Sequence, residues 1–424
     1  MKFLIAILAC TNLILAQDNY KKSAGYEKIA VNNYLNKNYV LFLANMIKAG
    51  EFRHNHPRIL YNLAAAYSLN NDNYNAFDEL QKLVDMKLYY AVEKDSDFAA
   101  YWKDADFINI VKGFNKNLVP GGNSETAFTY PEKDLITESV AYDSAEKKFY
   151  LSSIYRKMIV WIDENGNTGN FKSEGQDGLW SVFGIKVDPL RRILWACTGA
   201  VKQTKDYNPD DLGKTAVFKY NIDSGKLIKK FELNNTEHNH LFGDLALSLR
   251  GDVYVSDSRF NAVYKIPADS DSLQMFIEPK EFISLQGLDL SSDDKYLFLA
   301  DYGLGLFKIE LDTKEIESIK STEDFTPLGT DGLYFYKNSL IATQNGINPQ
   351  RVVRIYLNDK LDKIERYSIL DSNNPYFDEI TLGVIEGNHF YYIANSQWGS
   401  FDKQGNIFPA EKLKEPKILK TTLD

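Results

Sequence analysis

A short hydrophobic segment that ends in a small residue occurs six times in the chain. The six copies are Phe149–Ser152, Ile193–Ala196, Val253–Ser256, Leu297–Ala300, Ser339–Ala342 and Tyr391–Ala394. Their small residues follow one another at intervals of 42 to 60 residues, which is the length of a four-stranded propeller blade with variable loops. The repeat therefore predicts a mainly β fold, a six-bladed β-propeller.

Each copy has the same kind of neighbours. An alternating run such as Ile185–Val187 precedes it, and a turn rich in Asp, Ser, Gly or Pro separates the two. A third β-prone run such as Leu306–Ile309 follows it, and a more polar fourth run such as Lys230–Glu232 closes most units. Such runs between turn residues are typical of consecutive antiparallel strands. The polar fourth run is expected to be the outermost strand of its blade.

The last repeat is one strand short. After Ala394 only Lys417–Thr422 has the character of a strand, whereas Thr126–Tyr130 lies before the first repeat and has no other partner. A propeller leaves no long open strand edge in its ring. We therefore predict that Thr126–Tyr130 is the outermost strand of the sixth blade and closes the ring.

Residues 17–117 are different in kind and predict a small helical domain. The residues that would face one another in two adjacent helices are Leu60, Leu63, Ala64, Tyr67, Ala76, Leu80 and Leu83, at the three- and four-residue spacing of helix faces. Over this stretch the chain resembles one unit of a tetratricopeptide repeat. The domain is either a cap packed on the propeller or a groove for a protein partner. We predict a linker at 118–125 and the propeller at 126–424.

The first sixteen residues resemble a signal peptide, because a charge-free apolar stretch follows Lys2 and ends in Ala16. This predicts a secreted or periplasmic protein, with a lipid anchor on Cys10 as an alternative. Cleavage would leave Cys197 as the only cysteine, so no internal disulfide is expected. No later segment is apolar enough to cross a membrane. The net charge of −9, without a basic run, argues against nucleic acid as a partner.

The polar residues around the propeller axis are the candidates for chemistry. In each blade the start of the first strand and the end of the second lie on the same face of the ring, because the two strands are antiparallel. The predicted starts are Glu138, Phe183, Gly243, Asp244, Gln286, Asp331, Asp378 and Glu379. The predicted ends include Ser153, Asp257, Arg259, Asp301, Asn345, Asn395 and Gln397. Carboxylate and amide oxygens in such a ring are the ligands that hard divalent cations prefer.

Three of these starts belong to segments that resemble a known family. Glu138–Asp143, Gln286–Ser291 and Asp331–Leu333 resemble the senescence-marker-protein, gluconolactonase and strictosidine-synthase-like group of six-bladed propellers, over about residues 130 to 424. The resemblance implies a lactonase whose calcium or zinc ion would be held by Glu138, Gln286 and Asp331. The chain departs from the pattern at Gln286, where asparagine is expected, at Phe183, where a polar residue is expected, and at Gly243.

Three functions remain open. The first, which we favour, is a metal-dependent hydrolase of lactones or related esters. In it Asp244 or Asp301 would activate water, and the residues expected to contact the small-molecule substrate are Phe183, Arg259, Asn345 and Asn395. The second is a non-catalytic propeller that binds a ligand or a protein. The third is a scaffold whose helical domain recruits a protein partner.

Other reactive residues are interpreted as structural. His238 and His240 could face the axis together if they lie on one strand, but no third ligand follows at a fixed spacing, which favours a polar turn. Cys197 is expected to be a small core residue. Neither a glycine-rich phosphate loop nor a nucleophile elbow is found in the sequence.

Overall fold

The computed structural model describes residues 2–233, 238–278 and 282–424, and for residues 2–17 only the helical backbone. The side chains of the predicted signal peptide, including Cys10, lie outside the described residues. In the described part, no helix combines the length and the apolar character needed to cross a membrane.

The described strands form six antiparallel sheets, one for each predicted blade. The two strands that precede the first blade are β1 (Gly121–Gly122) and β2 (Glu125–Thr129). Blade 1 consists of β3 (Val140–Asp143), β4 (Lys148–Ser153), β5 (Met158–Asp163) and β6 (Thr168–Lys172). Blade 2 consists of β7 (Ser181–Asp188), β8 (Ile193–Gly199), β9 (Thr215–Asn221) and β10 (Leu227–Glu232). Blade 3 consists of β11 (Phe242–Leu247), β12 (Val253–Asp257), β13 (Ala262–Ile266) and β14 (Gln274–Ile277).

The remaining blades complete the ring. Blade 4 consists of β15 (Leu285–Leu290), β16 (Tyr296–Asp301), β17 (Gly305–Glu310) and β18 (Ile316–Ser318). Blade 5 consists of β19 (Thr330–Tyr336), β20 (Ser339–Gln344), β21 (Arg351–Leu357) and β22 (Ile364–Ser372), with β1 on its outer edge. Blade 6 consists of β23 (Gly383–Glu386), β24 (His389–Ile393), β25 (Lys417–Thr422) and, outermost, β2. The prediction of a six-bladed propeller is confirmed.

The six hydrophobic repeats of the sequence lie on the second strands of the blades. Each second strand is packed between its own sheet and the neighbouring blades, so both of its faces are covered. Every residue of β8, for example, is buried. Strands buried on both faces have continuous apolar sequences rather than alternating ones, which is why this strand carried the clearest signal.

The ring closes as the sequence predicted. β2 pairs antiparallel with β25, with Phe128 opposite Ile418. The Phe128 ring lies 4.9 Å from that of Phe149 in blade 1, and Tyr130 is buried. The closing strand therefore joins blade 6 and also packs against the first blade.

The segment predicted as a linker, 118–125, contains an additional strand. Gly121 and Gly122 of β1 pair with Ser372 and Asp371 of β22. Gly122 has a φ of 125°, and a Cβ atom there would lie 2.3 Å from the Leu370 carbonyl oxygen. Only glycine fits this edge.

The N-terminal part consists of helices. They are α1 (Lys2–Leu35), α2 (Tyr39–Phe52), α3 (Pro57–Leu69), α4 (Asn73–Asp85) and α5 (Ala105–Asn117), with short 3-10 helices at Val92–Lys94 and Ser96–Tyr101. Further short 3-10 helices in the propeller loops are Lys133–Leu135, Gln176–Gly178, Pro209–Asp211, Trp398–Ser400 and Ala410–Lys412. The predicted pair α3–α4 is present, with Asp72 accepting a hydrogen bond from the Asn75 N–H at the start of α4 (3.2 Å).

The helical domain docks on blade 5. The Tyr89 N–H donates to the Asn348 carbonyl oxygen (2.7 Å), and Nη1 of Arg351 donates to the Met86 carbonyl oxygen (2.9 Å). Arg351 is fully buried, and this burial lowers its pKa to about 10. A buried guanidinium that depends on a helical-domain carbonyl makes the interface part of the folded structure rather than a loose tether.

Candidate functional site

A cavity of about 300 Å³ lies on the propeller axis. Its lining residues come from all six blades and their loops: Glu138, Phe183, Leu241, Gly243, Asp244, Ser258, Gln286, Gly287, Asp331, Leu382 and Trp398. The structure thus brings together five residues predicted from the sequence, Glu138, Phe183, Asp244, Gln286 and Asp331. We refer to this space as the axial cavity.

Bulges in the first strands place these residues. The pairing of the first strand with the second shifts register between Val182 and Ile185, Phe242 and Leu245, Leu285 and Leu288, and Thr330 and Leu333. An extra residue in one strand re-aims the neighbouring side chains. In four blades the shift therefore falls at the cavity-lining position.

Each bulge also contains a glycine where neighbouring blades come close. A Cβ atom on Gly184 would lie 2.8 Å from the Asp244 Cα, and one on Gly287 would lie 2.4 Å from the Asp331 carbonyl oxygen. A larger residue would push the two strands apart. The recurring glycine in the first strands is a sequence signal for the axis that we did not use.

Glu138 is held by two donors from blade 6. Its Oε2 accepts hydrogen bonds from Ser396 Oγ (2.9 Å) and Trp398 Nε1 (2.8 Å). Burial raises its pKa from 4.5 to about 7, the two hydrogen bonds oppose the rise, and the charges of Glu379 and Asp244 add to it. The carboxylate is therefore fixed in place but poorly solvated.

Asp331 faces the same cavity under a similar strain. Its Oδ2 accepts a hydrogen bond from Asn345 Nδ2 (2.9 Å). Burial raises its pKa well above the ordinary value, and the charges of Glu138, Glu379 and Asp244 raise it further. Carboxylates this close do not all ionise unless a proton or a cation lies between them.

Asp244 is the third carboxylate of the cavity. Neither of its oxygens has a hydrogen-bond partner. Burial raises its pKa, and the positive charge of Lys186 on β7 lowers it. Lys186 Nζ lies 4.5 Å from the centre of the Tyr334 ring. The sequence analysis missed this lysine, although it lies two residues after Gly184 and so points to the same side of β7.

An aromatic pair forms the apolar side of the cavity. The rings of Phe183 and Trp398 stack with their centres 6.2 Å apart and their planes 24° from parallel. Trp398 was not predicted, since it lies in a loop without periodic pattern. Gln286 is turned by a hydrogen bond from its Nε2 to Ser284 Oγ (2.9 Å). The cavity therefore has carboxylates and an amide on one part of its wall and flat rings on another.

Asp301 lies outside the set that lines the axial cavity. Its carboxylate accepts hydrogen bonds from four backbone N–H groups, those of Ile283 (2.6 Å), Ser284 (3.1 Å), Gly303 (2.9 Å) and Leu304 (2.9 Å). These bonds occupy both oxygens and fix the loops of blade 4. The geometry gives Asp301 a role in holding loops and does not place it where it could activate water.

Three predicted substrate-binding residues also lie away from the lining. Asn395 accepts a hydrogen bond from the Lys417 N–H (2.7 Å) and donates one to the Glu415 carbonyl (3.0 Å), which anchors β25. Arg259 is exposed and donates to Asn239 (2.9 Å). Asn345 reaches the cavity only through its hydrogen bond to Asp331.

The remaining reactive residues are buried. Nδ1 of His240 lies 2.6 Å from Oδ2 of Asp257, and His238 packs on the Phe260 ring. Cys197 is fully buried, which raises the pKa of its thiol well above the ordinary value. None of these residues lines the axial cavity.

The donor set of the axial cavity contains two carboxylates and an amide at the positions predicted for a cation. Across the described residues, no group of three or more His, Cys, Asp or Glu side chains is placed to hold a metal ion. The oxygens of Glu138, Gln286 and Asp331 are hard donors suited to calcium more than to softer metals. A cation there would satisfy carboxylates that otherwise raise one another's pKa.

The fold and the axial cavity define a six-bladed β-propeller with an N-terminal helical domain. Its structural neighbours include a gluconolactonase from Xanthomonas campestris (13% identity, TM-score 0.48, covering 71% of this chain and 89% of that one). They also include a luciferin-regenerating enzyme (14%, 0.49, 71% and 95%) and a virginiamycin B lyase from Staphylococcus aureus (16%, 0.48, 71% and 99%). No family model and no curated protein sequence matches the chain.

Proposed function

We propose that the axial cavity binds a small-molecule lactone or related ester and hydrolyses it with the help of a divalent cation, calcium or zinc. One observation carries this proposal: Glu138, Asp244 and Asp331 meet in one cavity with raised pKa values. None of the described side chains that line the cavity is positively charged. Such a cluster is suited to a cation and is costly without one.

The cation would be held by Glu138, Gln286 and Asp331. Glu138 and Asp331 each have one oxygen engaged in the hydrogen bonds described above and another without a described partner. The amide nitrogen of Gln286 is bound to Ser284, which leaves its carbonyl oxygen as the ligand atom. When bound, the divalent cation would polarise the ester carbonyl and stabilise negative charge on its oxygen.

Asp244 is the residue suited to activate water. Its oxygens are unpartnered, and a poorly solvated carboxylate with a raised pKa is a stronger base than an exposed one. Asp244 would take a proton from a water molecule as the water oxygen bonds to the carbonyl carbon. The ring C–O bond then breaks, and the proton passes to the ring oxygen, so the product is a hydroxy acid.

The aromatic pair is suited to hold the carbon skeleton of the substrate. Phe183 and Trp398 present stacked, flat, apolar surfaces, and Trp398 also donates to Glu138. A ring lying on them would have its carbonyl directed toward the carboxylate side. Phe183 thus replaces the polar contact expected from the family resemblance with an apolar one.

The first test is cation binding. We expect about one equivalent of calcium or zinc per chain by elemental analysis and calorimetry, and loss of binding in Glu138→Gln and in Asp331→Asn. Gln286→Asn should change the affinity if the amide is a ligand. Glu411→Gln, at an exposed glutamate, is the matched control. If wild type and both carboxylate variants respond equally little to calcium, zinc and magnesium, the cation site does not exist.

The second test is turnover. We expect hydrolysis of δ-valerolactone, followed by acid release in a pH-stat, to stop when chelator is added and return with the cation. Asp244→Asn should retain the cation and lose at least about a hundredfold in kcat. Cation binding without turnover of any lactone would contradict the hydrolase and favour a ligand-binding propeller.

A further inference from the structure

A second and larger cavity lies between the helical domain and the propeller. Its volume is about 790 Å³, and its apolar wall includes Leu88, Tyr89 and Tyr90 from the helical domain and Tyr302, Leu328 and Ile347 from blades 4 and 5. We call it the interdomain cleft. It is more than twice as large as the axial cavity.

The cleft and the axial cavity share a wall. Asn345 lines the cleft, and its Nδ2 donates hydrogen bonds to Oδ2 of Asp331 (2.9 Å) and to the Ile380 carbonyl oxygen (2.9 Å). Its Oδ1 accepts a hydrogen bond from the Tyr302 hydroxyl (2.9 Å). A molecule that lies against Tyr302 and Asn345 is therefore one side chain away from the proposed cation ligand Asp331.

Glycines shape this shared wall. A Cβ atom on Gly346 would lie 2.4 Å from the Tyr302 ring and hydroxyl, and one on Gly329 would lie 2.7 Å from the Gly346 Cα. Gly329 also has a φ of 65°. Tyr302 fits beside Asn345 only because both positions lack a side chain. The tyrosine is thus held in a fixed position at the point where the two cavities meet.

The cleft offers no free charge to a ligand. Among the described residues that line it, Arg58 is the only one with a permanent charge, and Arg58 Nη2 lies 2.7 Å from Glu27 Oε2. Burial, together with the charges of Arg53 and Arg58, lowers the pKa of His56 to about 3, so this imidazole is neutral at physiological pH. A neutral, apolar ligand suits such a surface best.

We infer that the interdomain cleft binds a neutral alkyl or aryl arm of the same ester whose ring enters the axial cavity. This inference rests on the proposed function and narrows the substrate to lactones that carry an apolar substituent. The helical domain then supplies half of the specificity pocket. A bare lactone ring would fill only the axial cavity and would leave the apolar cleft unused.

The test compares two lactones with the same ring. δ-Dodecalactone carries a heptyl arm that δ-valerolactone lacks, and each buried methylene contributes about fourfold. Partial burial of the arm should raise kcat/KM by at least about tenfold in wild type. Tyr89→Ala and Ala91→Trp, which respectively remove and obstruct apolar wall, should lower this ratio. Tyr74→Ala, at a tyrosine 78% exposed on α4, should leave the ratio unchanged.

A binding measurement separates this inference from the hydrolase proposal. Heptyltetrahydropyran, the cyclic ether with the same arm and no ester, should bind by calorimetry to wild type and more weakly to both cleft variants. If no lactone is hydrolysed but the ether binds in this cleft-dependent way, the inference holds and the hydrolase fails. If both lactones are hydrolysed with equal kcat/KM, or ether binding is the same in all variants, the inference is wrong and the hydrolase stands on its own tests.

Discussion

Replacing Glu138 by glutamine should stabilise the cation-free protein at alkaline pH. The pKa of Glu138 is about 7 in the folded protein, against an ordinary value of 4.5. Between these values the folded state holds a proton that the unfolded chain has lost, so the stability of the wild type falls as the pH rises through this window. The gap corresponds to about 3 kcal/mol, which the wild type retains below pH 4.5 and has lost above pH 7.

Glutamine has the same shape as glutamate but does not titrate. Its oxygen can still accept the hydrogen bonds from Ser396 and Trp398. At pH 5 the folded wild-type carboxyl is mostly neutral too, so the two proteins should differ by no more than about 1 kcal/mol. At pH 8 the variant should be more stable by about 3 kcal/mol, which in a chain of this length raises Tm by about 3 °C.

Differential scanning calorimetry with chelator at both pH values measures this effect. Glu411→Gln, at an exposed position in the last loop, serves as the control and should show no comparable change between the two pH values. An equal Tm difference at pH 5 and pH 8 would refute the reasoning, because it would mean that proton binding by Glu138 is not the cause. A lower Tm of Glu138→Gln at pH 8 would refute it as well.

Three further predictions follow from contacts outside the axial cavity. Asp301→Asn should leave at least one of the four backbone N–H groups without an acceptor, destabilising the protein by about 1–3 kcal/mol while cation affinity in a calorimetric titration stays unchanged. Deleting residues 123–131 should lower Tm more than deleting 17–115, because only the first deletion removes strands of the ring; equal losses would contradict this. Cys197, buried with a raised pKa, should react with a thiol reagent only after unfolding, and rapid reaction of the native protein would show otherwise.

The sequence was most informative where a residue's surroundings come from its own repeat. The second strands were recognisable because both of their faces are buried, as in β8. The cavity-lining positions of Glu138, Phe183 and Asp331 followed from strand direction and blade order alone. The strand that closes the ring could be found because blade 6 was otherwise incomplete.

Contacts between distant parts of the chain were not predictable in this way. Arg351 and Met86 meet across 265 residues, and the interdomain cleft exists because of such docking. Asp301 and Asp331 are the same residue type at neighbouring ends of two strands. Asp301 is surrounded by the amides of its own loops, whereas Asp331 faces the axis, and only three-dimensional coordinates separate the two cases.

The closure of blade 6 determines the order in which this chain can fold during synthesis. Thr129 Oγ1 accepts a hydrogen bond from Lys417 Nζ (3.0 Å) across 288 residues, so β2 is translated long before its partner β25. The helices and blades 1 to 4 can form from neighbouring segments as they emerge. β2 and β24 instead expose unpaired edges until Lys417–Thr422 has left the ribosome. A nascent chain that lacks only this last strand should therefore behave as a substrate for chaperones that bind extended backbone.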